Sequence, residues 1–239
     1  MLNDIIKLKN FDFKIDNSNQ SNFWSSYDDL NWEPEYVNFL ITNSKKYKVF
    51  IDVGSWIGPY SLLAASLGIK VYAYEPDKIA FEELKKNISL NKFKYEPQVF
   101  NYALSNEDGE GFLNSKEGLG NSTSSIADKK IDENSIIIKK KSFVNCVENI
   151  IKDNKILPEE IFLKIDIEGH EFNFENSIYK IVSKYNLTCF INYHFFVFNK
   201  NKILKLYHKI KTILYQILVK KIYQKKSILL NQDIIFRKS

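Results

Sequence analysis

The chain is poor in cysteine: Cys146 and Cys189 are the whole complement among 239 residues. Two thiols cannot build a disulfide framework or a four-ligand structural zinc site, and they fit a reducing compartment. Long apolar runs are missing too. No stretch approaches the ~18 consecutive apolar residues that a membrane-spanning helix needs. The opening residues Met1-Leu2-Asn3-Asp4-Ile5-Ile6 lack the basic start and long apolar stretch of a secretion signal. The expectation is a cytoplasmic protein, not a secreted or integral membrane one. Against these absences stand 44% hydrophobic and 26% charged residues, ordinary globular values that exclude bulk disorder and low-complexity character. A mass of 28.1 kDa suits one α/β domain with decorations.

Acid is missing from one place. Lys and Arg number 34 against 29 Asp and Glu, a net of +5. Nine of the lysines fall between Asn199 and Lys226, where no acid occurs, so the rest of the chain is net acidic. The basic character belongs to one C-terminal segment, and no nucleic-acid partner is expected. An amphipathic helix is expected there, over about 200–225. Ile203, Leu206, Tyr207, Ile210, Ile213, Leu214, Ile217 and Leu218 share one face, with Lys205 and Lys209 opposite. It reads as a helix packed on a sheet with a solvated basic face, or as a peripheral contact with an anionic membrane.

Residues 1–30 are polar and rich in Asn, Ser and Asp, and read as an irregular N-terminal arm with at most a short strand. The remainder, 31–239, reads as one domain. Trp32-Glu33-Pro34-Glu35 opens a helix, with Pro34 at its first position. Strands are expected at 49–53, 70–74, 98–104, 161–167 and 188–196, with helices over 60–67, 77–90, 144–153 and 171–185. This rhythm implies right-handed crossovers and a parallel sheet. Residues 105–141 read as an insertion over the sheet's edge, with an edge strand or hairpin arm at 135–143. A final strand covers 233–236.

Two places carry chemistry. The segment Asp52-Val53-Gly54-Ser55-Trp56-Ile57-Gly58 lies where a strand gives way to a helix, so backbone N–H groups can meet a ligand. Its spacing fails the dinucleotide fingerprint, because Trp56 and Pro59 stand where glycines are required. An acid two residues before the first glycine, and a glycine four residues after it, resembles the S-adenosylmethionine loop of class I methyltransferases. Glu75 ends the next strand, where a carboxylate can accept hydrogen bonds from ribose hydroxyls. The second place is Leu163-Lys164-Ile165-Asp166-Ile167-Glu168-Gly169-His170-Glu171. Lys164, Asp166 and Glu168 alternate, and charges on a central strand must pair or reach a cleft.

Together, the Asp52 loop and the following Pro59-Tyr60-Ser61-Leu62-Leu63-Ala64-Ala65, Tyr74-Glu75-Pro76 and the charged strand resemble the FkbM family of S-adenosylmethionine-dependent methyltransferases. Trp32-Glu33-Pro34 and Ala103-Leu104-Ser105 also fit it. The resemblance implies a Rossmann-like class I fold with a largely parallel seven-stranded sheet and an antiparallel final strand. It implies S-adenosyl-L-methionine held by Asp52, Gly54, Ser55, Trp56, Ile57, Gly58, Glu75, Pro76, Ala103 and Leu104. It implies O-methylation, most plausibly of a sugar hydroxyl in a glycan or glycolipid. Asp166, Glu168 and His170 are the catalytic candidates, with Glu168 or His170 favoured as the base; His194 is a further candidate. Asp166, Glu168 and His170 could also ligate a divalent cation, but the chemistry requires none. Trp56, Asn145 and Asn192 depart from the family's usual residues. They keep open a degenerate, non-catalytic protein on the same fold.

Overall fold

The computed structural model describes residues 3–115, 118–127, 129–130, 133–194, 201–223, 225–230 and 233–238. Strands β1 (Asn3–Leu8) and β2 (Phe11–Asp16) form an antiparallel hairpin. Helices α1 (Ser21–Asp28) and α2 (Pro34–Asn43) follow. Then come β3 (Val49–Val53), α3 (Pro59–Ser66), β4 (Lys70–Tyr74), α4 (Lys78–Ser89) and β5 (Gln98–Phe100). The insertion holds β6 (Ala103–Ser105), β7 (Gly109–Asn114), β8 (Ser125–Ala127) and β9 (Ile136–Ser142). The chain continues through α5 (Phe143–Asn154), β10 (Ile161–Ile165), α6 (Glu171–Tyr185), β11 (Thr188–Asn192), α7 (Lys202–Tyr223), β12 (Lys225–Leu230) and β13 (Asp233–Lys238).

The central sheet has the order β5-β4-β3-β10-β11-β13-β12. Its first five strands pair in parallel. β13 is antiparallel to both of its neighbours. Every residue of β3 and β10 is buried, which is why both read as short apolar runs, each broken by one charged residue, Asp52 or Lys164. Phe50, Phe162 and Phe190 pack on one face with α2, α3 and the N-terminal hairpin. Ile51, Leu163, Ile165 and Ile191 pack on the other with α5 and α6. Asp77 caps α4 by accepting from the Ile79 N–H at 2.9 Å, which satisfies a donor that a helix start leaves open.

Four sequence expectations change. The first thirty residues are not an irregular arm, because Ile6, Leu8, Phe13, Ile15, Trp24 and Tyr27 are buried in the main core. The strand expected at 98–104 breaks at Asn101, whose amide donates to the Glu75 and Pro76 carbonyls at 2.9 and 3.2 Å. The chain then leaves the central sheet, and β6 joins β9, β7 and β8 in a separate four-stranded sheet. β12 was not expected. Helix α7 does not turn its apolar face inward: Ile203, Leu206, Tyr207, Ile210, Ile213 and Leu214 are exposed. Its half-buried positions are polar, with Lys211 3.2 Å from Glu175 and His208 stacked edge-on to Phe172. The side chains of Ile217 and Leu218, like residues 195–196 of the expected 188–196 strand, lie outside the described residues. Among the described residues, no helix is long and apolar enough to cross a membrane.

The burial of the N-terminal segment is open to measurement. Trp24 is 1% exposed and packs against Phe13, Phe23 and Tyr27. Trp24→Ala should lower the unfolding free energy by about 3–5 kcal/mol in urea denaturation. A loss under about 1 kcal/mol would mean that the segment is peripheral after all.

Candidate functional site

The carboxyl ends of β3, β4, β10 and β11 meet at one edge of the sheet, the place where open α/β sheets hold ligands. After β3 the chain turns through residues 54–58 into α3. The Gly54 and Ser55 N–H groups donate to the Tyr74 carbonyl at 3.0 and 3.1 Å. Gly54 has φ +80°, and a Cβ there would lie 1.9 Å from the Asp166 carbonyl oxygen. Only glycine fits, because the β3 loop touches the end of β10. Trp56 is left-handed at φ +48°, which aims its N–H at Glu75 Oε2, 2.7 Å away. Its ring packs edge-on against Phe23, and its indole N–H donates to the Gly120 carbonyl at 2.8 Å. Asp77 accepts from the Gly120 N–H at 2.6 Å. The 118–125 loop of the insertion is thereby fastened over the site.

Two adjoining cavities, both open to solvent, result. They share Gly54, Trp56, Ser122, Asp166 and Glu168. Glu75 and Pro76 line one of them; Glu33, Ser55, Lys164 and Asn192 line the other. Burial pushes the Glu75 carboxyl up to about 7, against the N–H groups of Asp77 and Trp56 that favour its charge. Burial, aided by Asp166, likewise pushes Glu33 up to about 7, although the Tyr60 hydroxyl and Lys164 favour its charge.

Below the cleft, Lys164 is buried with its Nζ 3.4 Å from Asp52 Oδ1, 3.3 Å from Asp166 Oδ2 and 5.1 Å from the Tyr60 ring centre. Burial works against that ammonium, but Asp166, Asp52 and Glu33 outweigh it and raise its pKa. Asp52 Oδ2 also accepts from Ser61 at 2.7 Å; burial raises its pKa, with Lys164 opposing. At the mouth, His194 Nε2 lies 3.5 Å from Asp166 Oδ1 and 3.3 Å from Glu168 Oε1, and Nδ1 lies 3.2 Å from Glu171. Burial disfavours the imidazolium, yet Glu168, Glu171 and Asp166 together hold His194 up to about 11.

Gly54, Ser55, Trp56, Glu75, Pro76, Asp166 and Glu168 thus line the cleft. Asp52 lies beneath it, paired with Lys164. Ile57 is a core residue, Gly58 opens α3, and Ala103 and Leu104 are buried in β6. His170 is not at the mouth. Glu168 and Gly169 have φ +52° and +100°, and this left-handed turn swings His170 away. It lies 3.3 Å from Ser105 Oγ and 3.1 Å from the Asn173 amide, beside a separate polar cavity. Sequence reasoning missed Glu33 as a cleft residue, since Trp32-Glu33-Pro34 signals only a helix start. It also missed Glu171, a buried acid that receives the His194 ring.

The sequence profile of the Vibrio cholerae RfbT protein matches residues 3–236, nearly the whole chain. The chain belongs to the RfbT family. Among curated proteins, this RfbT-family chain is 32% identical over 76 residues to a tRNA (guanine(37)-N(1))-methyltransferase of Leishmania braziliensis. That likeness covers 32% of this chain and 10% of the relative. Among solved structures it is similar to the methyltransferase FkbM from Methylobacillus flagellatus KT, with TM-score 0.46 and 16% identity over 93% of this chain and 56% of that one. It is also similar to the METTL16 methyltransferase domain, with TM-score 0.40 and 14% identity over 86% and 66% of the two chains. The RfbT-family chain therefore spans about a tenth of the curated relative and a little over half of the FkbM structure.

Glu75 makes the stability of this fold depend on pH. Its carboxyl titrates near 4.5 when free and near 7 when folded. Across that window the folded state binds more protons than the unfolded one, so raising the pH from 4.5 to 7 removes stability, by about 3 kcal/mol. The ligand-free chain should show a smaller drop in urea midpoint between pH 5 and pH 8 once Glu75→Gln removes the titration. Glu33 and His194 titrate alike in both chains and drop out of the comparison. Equal drops in the two chains would mean that Glu75 is not the group responsible.

Proposed function

We propose that this chain is an S-adenosylmethionine-dependent methyltransferase of class I topology that transfers a methyl group to a hydroxyl oxygen. The observation that carries this reading is the placement of Glu75. A buried carboxylate ends β4 beside the glycine loop after β3, and both open into the same cleft as Asp166. The 76-residue likeness to a methyltransferase agrees with it. The donors and acceptors present fit such a cofactor. Each Glu75 oxygen accepts one backbone N–H and keeps a lone pair for a ribose hydroxyl. Ser55 Oγ is buried with no hydrogen-bond partner among the described residues.

Bound S-adenosylmethionine supplies an electrophilic methyl group on a sulfonium. The rest is work for the chain. The 54–58 loop and Glu75 fix the position of the donor, and most of the rate can come from that positioning. Asp166 and Glu168 place carboxylates in the cleft beside which a sulfonium can sit. Asp166 and Glu168 face the acceptor hydroxyl at the mouth, orient it and stabilise loss of its proton. A sugar hydroxyl of a glycan or glycolipid is the acceptor class that we favour.

Calorimetry with S-adenosylmethionine tests the cofactor. Micromolar binding is expected, and Glu75→Ala should weaken it by about 1.5–3 kcal/mol, the scale of hydrogen bonds to a charged group. Absence of binding would favour the degenerate, non-catalytic reading motivated by Trp56, Asn145 and Asn192.

The acceptor class draws on α7. Its outward face carries Ile203, Leu206, Tyr207, Ile210, Ile213 and Leu214, and its segment holds lysines without acids. That combination fits the surface of an anionic bilayer, where a glycolipid would be presented. Vesicles containing phosphatidylserine should sediment the chain at low salt and release it at moderate salt. Ile210→Glu with Leu214→Glu should abolish the binding. Equal sedimentation of this double variant would rule out α7 as the contact.

A further inference from the structure

We infer that Asp166, Glu168 and His194 form a binding site for a divalent cation at the mouth of the cleft. The inference rests on the methyltransferase reading only for its purpose, which is to hold the acceptor. The geometry comes first. One ligand atom from each residue lies within 4.8 Å of the other two. His194 Nε2 is 3.5 Å from Asp166 Oδ1 and 3.3 Å from Glu168 Oε1. Ligands on one face of an octahedral ion with bonds of about 2.1 Å sit about 3.0 Å apart. Both His194–carboxylate separations exceed that by a few tenths of an ångström, and the two carboxylates, within 4.8 Å of each other, would close around the ion.

The surroundings support ligation. Glu171, 0% exposed, accepts from the His194 backbone N–H at 2.7 Å and lies 3.2 Å from Nδ1. It fixes the ring with Nε2 turned to the two carboxylates. Metal-bound histidines are held in this way, through a carboxylate on the nitrogen that does not ligate. Lys164 engages Asp166 through Oδ2 and leaves Oδ1 to face His194. Glu33 and Asp52 add carboxyl groups nearby, so acidic groups outnumber Lys164 and His194. Ser55 lines the same cavity as Asp166 and Glu168, is 2% exposed, and its Oγ has no hydrogen-bond partner among the described residues. A buried hydroxyl in that state calls for a ligand in the cleft.

Two carboxylates and one imidazole suit a hard or borderline ion of the Mg²⁺ or Mn²⁺ kind. Ligation needs the neutral imidazole, so the ion takes the place of one proton. Its remaining positions would face the cleft, where they could take the oxygens of an acceptor hydroxyl pair. The metal would then draw charge from the oxygen to be methylated, a role that otherwise falls to the carboxylates alone.

The test uses the full chain, Mn²⁺ and no methyl donor. Free Mn²⁺ is counted by electron paramagnetic resonance, and heat is measured by calorimetry. One saturable site is expected. Glu168→Gln and His194→Gln should each weaken it by at least about tenfold, while Glu82→Gln, a surface carboxylate paired with Lys85, should leave it unchanged. If His194→Gln fails to fold, Glu168→Gln decides, since Glu168 is partly exposed at the mouth. Absence of saturable binding, or equal binding by Glu168→Gln, overturns the site. S-adenosylmethionine binding is measured separately in chelator. Donor binding without Mn²⁺ binding refutes the cation site and leaves the methyltransferase reading standing; Mn²⁺ binding without donor binding does the reverse.

Discussion

Taking an ammonium group out of water costs several kcal/mol unless carboxylates meet it, and β10 does this with Lys164 in the middle of the sheet. The parallel register places Lys164 directly opposite Asp52 on β3, so the two charges share one face. Asp166, two residues on, reaches the same ammonium. Removing Lys164 would leave two carboxylates without their cation, and removing either carboxylate would leave the buried ammonium with a single partner. The arrangement ties the end of β3 to the end of β10, and with them the loop and the turn from which the cleft is made. Tyr60 and Ser61 of α3 close over the pair. The helix after the glycine loop is thus part of the same electrostatic unit.

The insertion looks peripheral in the chain but is not peripheral to the cleft. Its small sheet leaves the central one at Asn101 and returns at α5. The loop between β7 and β8 is fastened back on Trp56 and Asp77. Asp77 therefore serves both the start of α4 and the cover of the cavity. Trp56 spends its indole N–H on this contact and packs its ring on Phe23. Its bulk is absorbed by the insertion and the N-terminal segment, so the cavities remain.

β3, β4 and β10 were legible because strands buried on both faces are short apolar runs with little else in them. The loop and Glu75 stood out by their spacing together with the resemblance to the FkbM family, and the structure brings them to one cleft. The N-terminal hairpin was overlooked although Phe11-Asp12-Phe13-Lys14-Ile15-Asp16 alternates as a half-buried strand should; the Asn- and Ser-rich residues beyond it outweighed the period. The outward apolar face of α7 could not be read, since periodicity reports that a helix has two faces and not which one meets the protein. His170 was misplaced because a left-handed non-glycine residue, Glu168, precedes Gly169, and nothing in the residue type announces it. The meeting of His194 with Glu171 depends on the packing of β11 against the start of α6, a tertiary fact without a local signal.

The contact between Gly54 and the Asp166 carbonyl has an evolutionary side. Every single-base change in a glycine codon that yields another amino acid brings a Cβ with it. At this position that atom would land inside a backbone oxygen. Position 54 thus has no viable neighbour one mutational step away, and a lineage can leave glycine here only after β3 and β10 have moved apart. Trp56, two residues later, has its ring anchored on replaceable side chains and loop backbone. Variation in this loop should therefore collect at its third residue while its first stays fixed.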